Sequence, residues 1–241
     1  MPRARLFTLV VLVMFVVVHA IAIPVALINP GLFETSLAQE DGPLEYGTAI
    51  FLLVSALLLI WRGRQLQHLG RRFGAGLTWL YAALYAFVAG EEVSWGQRIF
   101  DWQSGSFFVE HNFQAETNLH NLVIGDTQLA STIFGNDLTP VLLAYLILLP
   151  ILYPLAGWVR KFASALAVPV PSMLHAALAI VASVTMVVIG GVPRQFELYE
   201  FAFSLMSLMI FANPRNPDLY GEVSRRGTRE ESAMGQFNPA E

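Results

Sequence analysis

The chain has 241 residues, of which 55% are hydrophobic and only 13% are charged. Soluble domains carry about 25% charged residues, so this composition is typical of a membrane protein. The absence of cysteine excludes disulfides, cysteine-ligated zinc and iron–sulfur clusters, and the net charge of −4 disfavours nucleic-acid binding.

Apolar segments long enough to cross a bilayer recur along the whole chain. About 20 apolar residues are needed for one transmembrane helix. The first segment continues past a sequence that resembles a signal-peptide cleavage site, so we interpret it as a span. The predicted spans are 6–28, 44–61, 74–99, 138–158, 172–190 and 196–212. We therefore predict an all-α polytopic membrane protein whose six-helix transmembrane bundle forms one domain over residues 1–212.

Positive charges are distributed unevenly about these spans. Of the 14 Lys and Arg residues, all but Arg98 and Arg194 fall on one side of the predicted membrane. Short loops rich in Lys and Arg stay in the cytoplasm, so this side should be cytoplasmic and both termini should lie there. The tail 213–241 is polar and charged, which predicts a disordered cytoplasmic segment.

The longest predicted outer loop covers residues 100–137. Apolar residues at helical spacing between Phe113 and Ile124 predict a short amphipathic helix lying at the membrane interface. On such a helix Glu116 and His120 are one turn apart and face the same side. That spacing suits a pair of metal ligands or an acid–base pair.

Two adjacent carboxylates, Glu91 and Glu92, lie near the outer end of the third span. The C-terminal end of a helix disfavours anions and adjacent carboxylates repel each other, so these residues need an explanation beyond solvent exposure. The predicted catalytic residues are Glu92, as general acid or base, Glu91 and His120. The predicted ligands of a divalent metal are Glu45, Glu92, Glu116 and His120. Such a carboxylate-rich set suits Mn, Ca, Mg or iron.

Other ionisable residues of the spans have simpler explanations. Glu45 lies in the first turn of a predicted helix, where a carboxylate stabilises the positive helix end. Glu197 and Glu200 also lie near the start of a helix, and the same explanation applies to them. His19 and His175 lie within spans, as satisfied core residues or as ligands of a tetrapyrrole.

Three short motifs carry a resemblance to other proteins. They are Glu-Asp-Gly at 40–42, Gly-Glu-Glu-Val-Ser-Trp-Gly-Gln-Arg at 90–98 and Glu-Thr-Asn-Leu-His-Asn at 116–121. Through these motifs the chain resembles uncharacterised bacterial multi-pass inner-membrane proteins. The resemblance implies a bacterial inner (plasma) membrane, with the polar site facing the periplasm, and it implies no particular reaction.

The expected function is that of an integral membrane protein with a carboxylate and histidine site on its periplasmic face. The leading hypothesis is a metal-assisted enzyme that acts on a lipid-like or amphipathic substrate taken from the lipid bilayer. The alternative is a non-enzymatic subunit or assembly factor of a membrane protein complex, whose polar cluster is a structural network beside a membrane protein partner. A proton-coupled transporter is disfavoured, because most ionisable residues of the spans gather at the outer end instead of lining the whole membrane depth.

Overall fold

The computed structural model describes residues 3–119, 121–125, 127–128 and 138–221. This part of the chain is predominantly helical, as predicted. A pair of two-residue strands, β1 (Val123–Ile124) and β2 (Thr127–Gln128), pairs antiparallel beyond the third long helix.

Helices lie at every predicted span. The longer ones are α1 (Arg3–Ile28), α2 (Pro43–His68), α3 (Arg72–Glu92), α4 (Thr139–Leu155), α5 (Gly157–Ala165), α6 (Met173–Val188) and α7 (Gln195–Ala212). Within the described ranges, α1, α2 and α3 are long and apolar enough to cross a membrane, and α4 and α6 are shorter apolar helices. Short helical segments are Pro30–Leu32, Phe33–Leu37, Ser94–Gly96, Gln97–Phe100, Ser106–His111 and Pro217–Tyr220.

Two helix boundaries differ from the prediction by seven residues each, and the others differ by at most three. α2 continues to His68 instead of ending at residue 61. α3 ends at Glu92 instead of residue 99, because Ser94 and Trp95 have positive φ angles of 46° and 56°, which break the right-handed helical path. Glu92 is therefore the last residue of its helix.

α7 is the most buried helix of the bundle and packs against α1, α2 and α6. Its buried residues are Leu198, Phe201, Ala202, Ser204, Leu205, Met206, Ser207, Leu208, Met209, Ile210 and Phe211. α2 approaches α7 closely at Gly47, where an added Cβ would lie 2.6 Å from the Phe201 ring. The packing of α2 on α7 therefore requires glycine at that position.

The Arg62 side chain binds the C-terminal end of α7. Arg62 is only 2% exposed, its Nε donates to the Phe211 carbonyl (3.2 Å), and its Nη2 donates to the Ala212 carbonyl (2.7 Å). The guanidinium also lies over the Tyr220 ring, 4.6 Å from the ring centroid. The predicted second span ends at residue 61 and leaves Arg62 outside it. Arg62 is instead a buried residue of α2, where it supplies the donors that the last carbonyls of a buried helix need.

Residues 213–221 pack onto this same end of the bundle. Asn216 accepts from the Val170 N–H (2.9 Å) and donates to the Val168 carbonyl (3.0 Å), and the Arg215 N–H donates to the Val170 carbonyl. Tyr220 is fully buried. The prediction of a disordered tail therefore fails for 213–221, because these side chains satisfy buried backbone groups; residues 222–241 lie outside the described residues.

The predicted amphipathic helix between Phe113 and Ile124 is wrong for the part described. This stretch forms turns, and an isolated bridge pairs Asn112 with Leu122. The Asn112 side chain accepts from the N–H groups of Gln114 (2.9 Å) and Glu116 (3.1 Å). An asparagine that binds nearby backbone groups in this way competes with helix formation, and the short helix lies earlier, at Ser106–His111.

The two ends of the bundle differ in charge. At one end, which we call the basic end, Arg62 binds α7, Arg71 donates to the Leu219 carbonyl and Arg215 donates to the Pro150 carbonyl. At the other, the acidic end, the described cations are Arg98 and Arg194, and each is paired with carboxylates. Alternating helix directions place the start of α2 and α7 beside the end of α3 at the acidic end.

Replacing Arg62 with methionine tests the role of this residue. Arg62→Met should lower the stability by about 3 kcal/mol, because it leaves the two carbonyls of α7 buried without a donor. The measurement is the thermal unfolding midpoint of the purified protein in detergent. Arg64→Met is the matched control, since Arg64 lies two residues away and is exposed. Equal midpoints for the two variants would show that Arg62 does not hold α7.

Candidate functional site

Three carboxylates converge at the acidic end of the bundle. One carboxylate oxygen each from Glu92, Glu197 and Glu200 lies within 4.8 Å of the other two. Glu92 ends α3, while Glu197 and Glu200 are three residues apart on α7 and so share one helical face. All three side chains are half-buried. We call Glu92, Glu197 and Glu200 the carboxylate cluster.

One cation, Arg194, borders the carboxylate cluster. Its Nη2 donates to Glu197 Oε1 (2.8 Å) and lies 3.8 Å from Glu45 Oε2. Glu45 in turn accepts from the Asp41 N–H (2.7 Å). A single guanidinium thus faces two of the carboxylates, and among the described residues no donor is found for Glu92.

The carboxylate cluster has the dimensions of a site for a hard divalent cation. Mg²⁺ and Ca²⁺ bind oxygen ligands at about 2.0–2.6 Å, so ligands on opposite sides of the ion are about 4–5 Å apart. The three carboxylate oxygens lie within that span. The ligand set is oxygen only, which suits Mg, Ca or Mn better than zinc. The residues present therefore fit a divalent ion.

Glu116 belongs to a second group of polar residues in the outer loop. Its Oε2 accepts from Ser94 Oγ (2.5 Å), and Asn118 Nδ2 donates to the same Ser94 oxygen (2.7 Å). Arg98 forms an ion pair with Glu116. Ser94, Glu116 and Asn118 are all buried, so their hydrogen bonds fix the loop against the end of α3.

Glu91 joins this loop to the helix that carries Glu92. Its Oε1 accepts from Trp95 Nε1 (2.7 Å), and its Oε2 accepts from the Leu119 N–H (2.5 Å). Glu91 is buried. Neighbouring residues therefore have different roles: Glu91 binds the loop, while Glu92 faces α7. We call Glu91, Ser94, Arg98, Glu116 and Asn118 the loop network.

Arg98 connects the loop network to the segment before α2. It pairs with Glu40 (2.5 Å) and Asp41 (2.7 Å) as well as Glu116. Partial burial by itself would lower the pKa of Arg98, but its hydrogen bonds to Asp41 and Glu40 outweigh that cost and raise the pKa above its ordinary value. Arg98 is therefore a permanent positive charge among three acids.

The predicted site residues fall into separate groups. Glu92 lies in the carboxylate cluster and Glu45 borders it through Arg194, whereas Glu91 and Glu116 belong to the loop network. His120 lies outside the described residues, so its part in catalysis or metal binding stays a prediction. Glu116 does not lie on a helix, so the prediction that it shares a helical face with His120 is wrong.

The sequence predicts that Glu197 and Glu200 stabilise the start of a helix, whereas the structure places them beside Glu92. The position of Glu200 in the sequence indicates a different role. α7 begins at Gln195, so Glu200 lies beyond the first turn, where the helix dipole no longer stabilises an anion. Stabilisation of the helix end therefore does not explain a carboxylate at Glu200.

The two histidines within helices have local roles. His19 Nδ1 hydrogen-bonds to the Phe15 carbonyl (2.8 Å), and its ring stacks on Phe15. His175 Nδ1 accepts from the Ser172 N–H (2.9 Å) in a capping box that begins α6. Both are core residues of the bundle.

No known family model, no curated protein and no solved structure matches the chain. This agrees with the sequence, whose motifs pointed to no characterised family. The function must therefore be argued from the site itself.

Replacing Glu116 with alanine tests the loop network. Ser94 Oγ and Asn118 Nδ2 both donate to Glu116 Oε2. The variant leaves these buried donors without that acceptor, which costs about 2 kcal/mol. A cost of about 2 kcal/mol raises the equilibrium constant for local opening of the loop about 30-fold, so amide hydrogen exchange at residues 116–119 should become about 30-fold faster. The control is Glu110→Ala, since Glu110 is exposed and lies in the same loop. Unchanged exchange in Glu116→Ala would contradict the assignment.

Proposed function

We propose that this chain is a multi-pass bacterial inner-membrane protein that binds a divalent cation at Glu92, Glu197 and Glu200. In this proposal the bundle has six spans, both termini are cytoplasmic and the acidic end faces the periplasm. The bound ion assists a reaction on a lipid-like or amphipathic substrate. The observation that carries the proposal is the convergence of three carboxylate oxygens within 4.8 Å of one another.

The exterior of the bundle supports a membrane location. Large apolar side chains on α1, α3 and α6 are exposed, including Val13, Val16, Leu80, Leu84 and Val184. Exposing so large an apolar surface to water costs free energy, whereas exposing it to lipid does not. The basic end carries the Arg residues that favour a cytoplasmic side.

The charge balance at the acidic end supports a cation site. Glu45 and the three members of the carboxylate cluster are four carboxylates, and the guanidinium of Arg194 pairs with only two of them, Glu197 and Glu45. Grouped carboxylates that are part-buried repel one another unless a cation or a proton offsets their charge. A divalent ion would do so with the oxygen ligands that it prefers.

The position of the carboxylate cluster supports a role in chemistry. The cluster lies where α3 ends, which in the proposed orientation is the level at which an outer-leaflet lipid presents its polar group. When bound there, a divalent ion would polarise a carbonyl or phosphoryl oxygen of a substrate. Glu92, Glu197 and Glu200 would hold the ion, and Arg194 would hold Glu197 and Glu45 in place.

A second candidate function is that of a non-enzymatic subunit or assembly factor. The loop network favours it, because its buried groups bind one another and fix the loop on the bundle. The same loop exposes Phe100 and Phe113, which are 76% and 73% exposed, as an apolar surface for a membrane protein partner.

Metal binding separates these candidates. The protein, purified in detergent and stripped with chelator, is dialysed against Mn²⁺, and the bound metal is measured by elemental analysis. We expect near-stoichiometric metal, and an affinity more than about 100-fold lower in Glu92→Gln/Glu200→Gln, because loss of two ligands should exceed the effect of an outer-shell change. The control is Asp101→Asn/Glu110→Gln, which removes two exposed acids from the loop that follows α3 and leaves the carboxylate cluster intact. No metal in the unaltered protein, or equal affinity in both double variants, would overturn the cation site.

Cysteine labelling tests the six spans and their orientation. The chain has no native cysteine, so each introduced thiol is the single target of a membrane-impermeant maleimide. The single variants are Thr35→Cys, His68→Cys, Glu110→Cys, Lys161→Cys and Pro193→Cys. Positions 35, 110 and 193 should react from the periplasmic side, and positions 68 and 161 only after the membrane is opened. Any other pattern would contradict the topology.

A further inference from the structure

A cavity of about 420 Å³ opens at the basic end of the bundle. It lies between the turn that joins α2 to α3 and the C-terminal end of α5. Arg71 and Arg72 line one side, and Ser164 lines the other. No carboxylate is found among its lining residues in the described part of the chain. Its volume is within the range of small-molecule sites.

The walls of the cavity present hydrogen-bond donors. Arg71 Nη1 donates to the Leu219 carbonyl (2.9 Å), which fixes the side chain at the rim while the guanidinium keeps further N–H groups. Arg72 is exposed beside it. The N–H groups of Phe73 and Gly74 belong to the first turn of α3 and have no carbonyl partner within that helix. Two arginines and a helix N-terminus therefore meet at one cavity.

An apolar surface adjoins these donors. Phe73, itself a lining residue, is 71% exposed, and on α5 Trp158 and Phe162 are exposed as well. Val159 and Ala163, on the opposite face of α5, are buried. A helix with one face packed on the bundle and exposed aromatic and basic side chains is typical of a membrane interface. The cavity thus combines a cationic pocket with apolar flanks.

We propose that this cavity binds the phosphate group of an anionic phospholipid, with Arg71, Arg72 and the first turn of α3 as donors. Arginine binds phosphate oxygens through paired N–H groups, and basic pockets on the cytoplasmic side of membrane proteins bind anionic headgroups. The acyl chains lie along Phe73 and α5. This inference rests on the membrane placement given above, but not on the carboxylate cluster.

The test uses the full chain in neutral detergent and follows the shift of the thermal midpoint on titration. The probes are dioctanoyl phosphatidylglycerol, dioctanoyl phosphatidylcholine and glycerol phosphate. Phosphatidylglycerol should bind at least about tenfold more tightly than phosphatidylcholine, whose choline is repelled by the arginines. Arg72→Gln should weaken phosphatidylglycerol binding by about tenfold.

Two further variants make the test specific. Ser164→Trp fills the cavity from the wall opposite Arg72 and should abolish phosphatidylglycerol binding. The thermal unfolding midpoint of this variant without lipid shows whether it folds. Arg5→Gln/Arg64→Gln removes two exposed positive charges elsewhere at the basic end and should leave binding unchanged. Equal loss in this control, or equal binding of both lipids, would overturn the proposal.

The glycerol phosphate titration identifies the source of the phosphate. Binding as tight as that of phosphatidylglycerol, lost again in Arg72→Gln, would support the phosphate site and assign it to a soluble phosphate ester. Much weaker binding supports the lipid. The lipid titrations are done in detergent and leave the carboxylate cluster intact. A negative result would therefore contradict the phosphate site alone, whereas the metal and labelling experiments test the cation site and the topology.

Discussion

The constraint on which the structure depends is that the last carbonyls of α7, the most buried helix, must find hydrogen-bond donors. Arg62 donates to two of them, the carbonyls of Phe211 and Ala212. Unpaired carbonyls inside an apolar bundle would cost several kcal/mol. The guanidinium of Arg62 removes that cost and holds the end of α2 against α7. Near the start of α2, Gly47 allows the two helices to approach closely. The central packing of the bundle follows from these contacts.

The same packing brings the candidate site together. α7 carries Glu197 and Glu200, and α3 ends at Glu92, so the spacing of the carboxylates is determined by two helices and not by a mobile loop. Sites built on helices hold their ligands more precisely than sites built on loops. The adjacent Glu91 binds the loop at Leu119 and so closes the end of α3 beside the cluster. One pair of neighbouring carboxylates thus links the helical bundle to the loop network.

The two ends of the bundle are chemically complementary to different ligands. At the acidic end the carboxylate cluster lies beside Arg194, while at the basic end arginines and helix N–H groups line a cavity that has no carboxylate among its described lining residues. In the proposed membrane orientation this separation of charge has a physical reason, because each end meets a different aqueous phase and a different lipid leaflet.

The sequence by itself predicted a helix at each of the six apolar runs, because a run of that length favours a helix, and it singled out Glu91 and Glu92 through their cost at a helix end. It did not determine which residues meet. The predicted second span ends before Arg62, yet Arg62 is buried against α7. The apolar spacing of Phe113–Ile124 predicts a helix, yet the Asn112 side chain binds the backbone of that stretch, and Glu116 pairs with Ser94 and Arg98. Hydrophobic period is a local property of the chain. The partners of Glu92 are set by the contact of α3 with a helix about 100 residues later, which only the packing of the whole bundle decides.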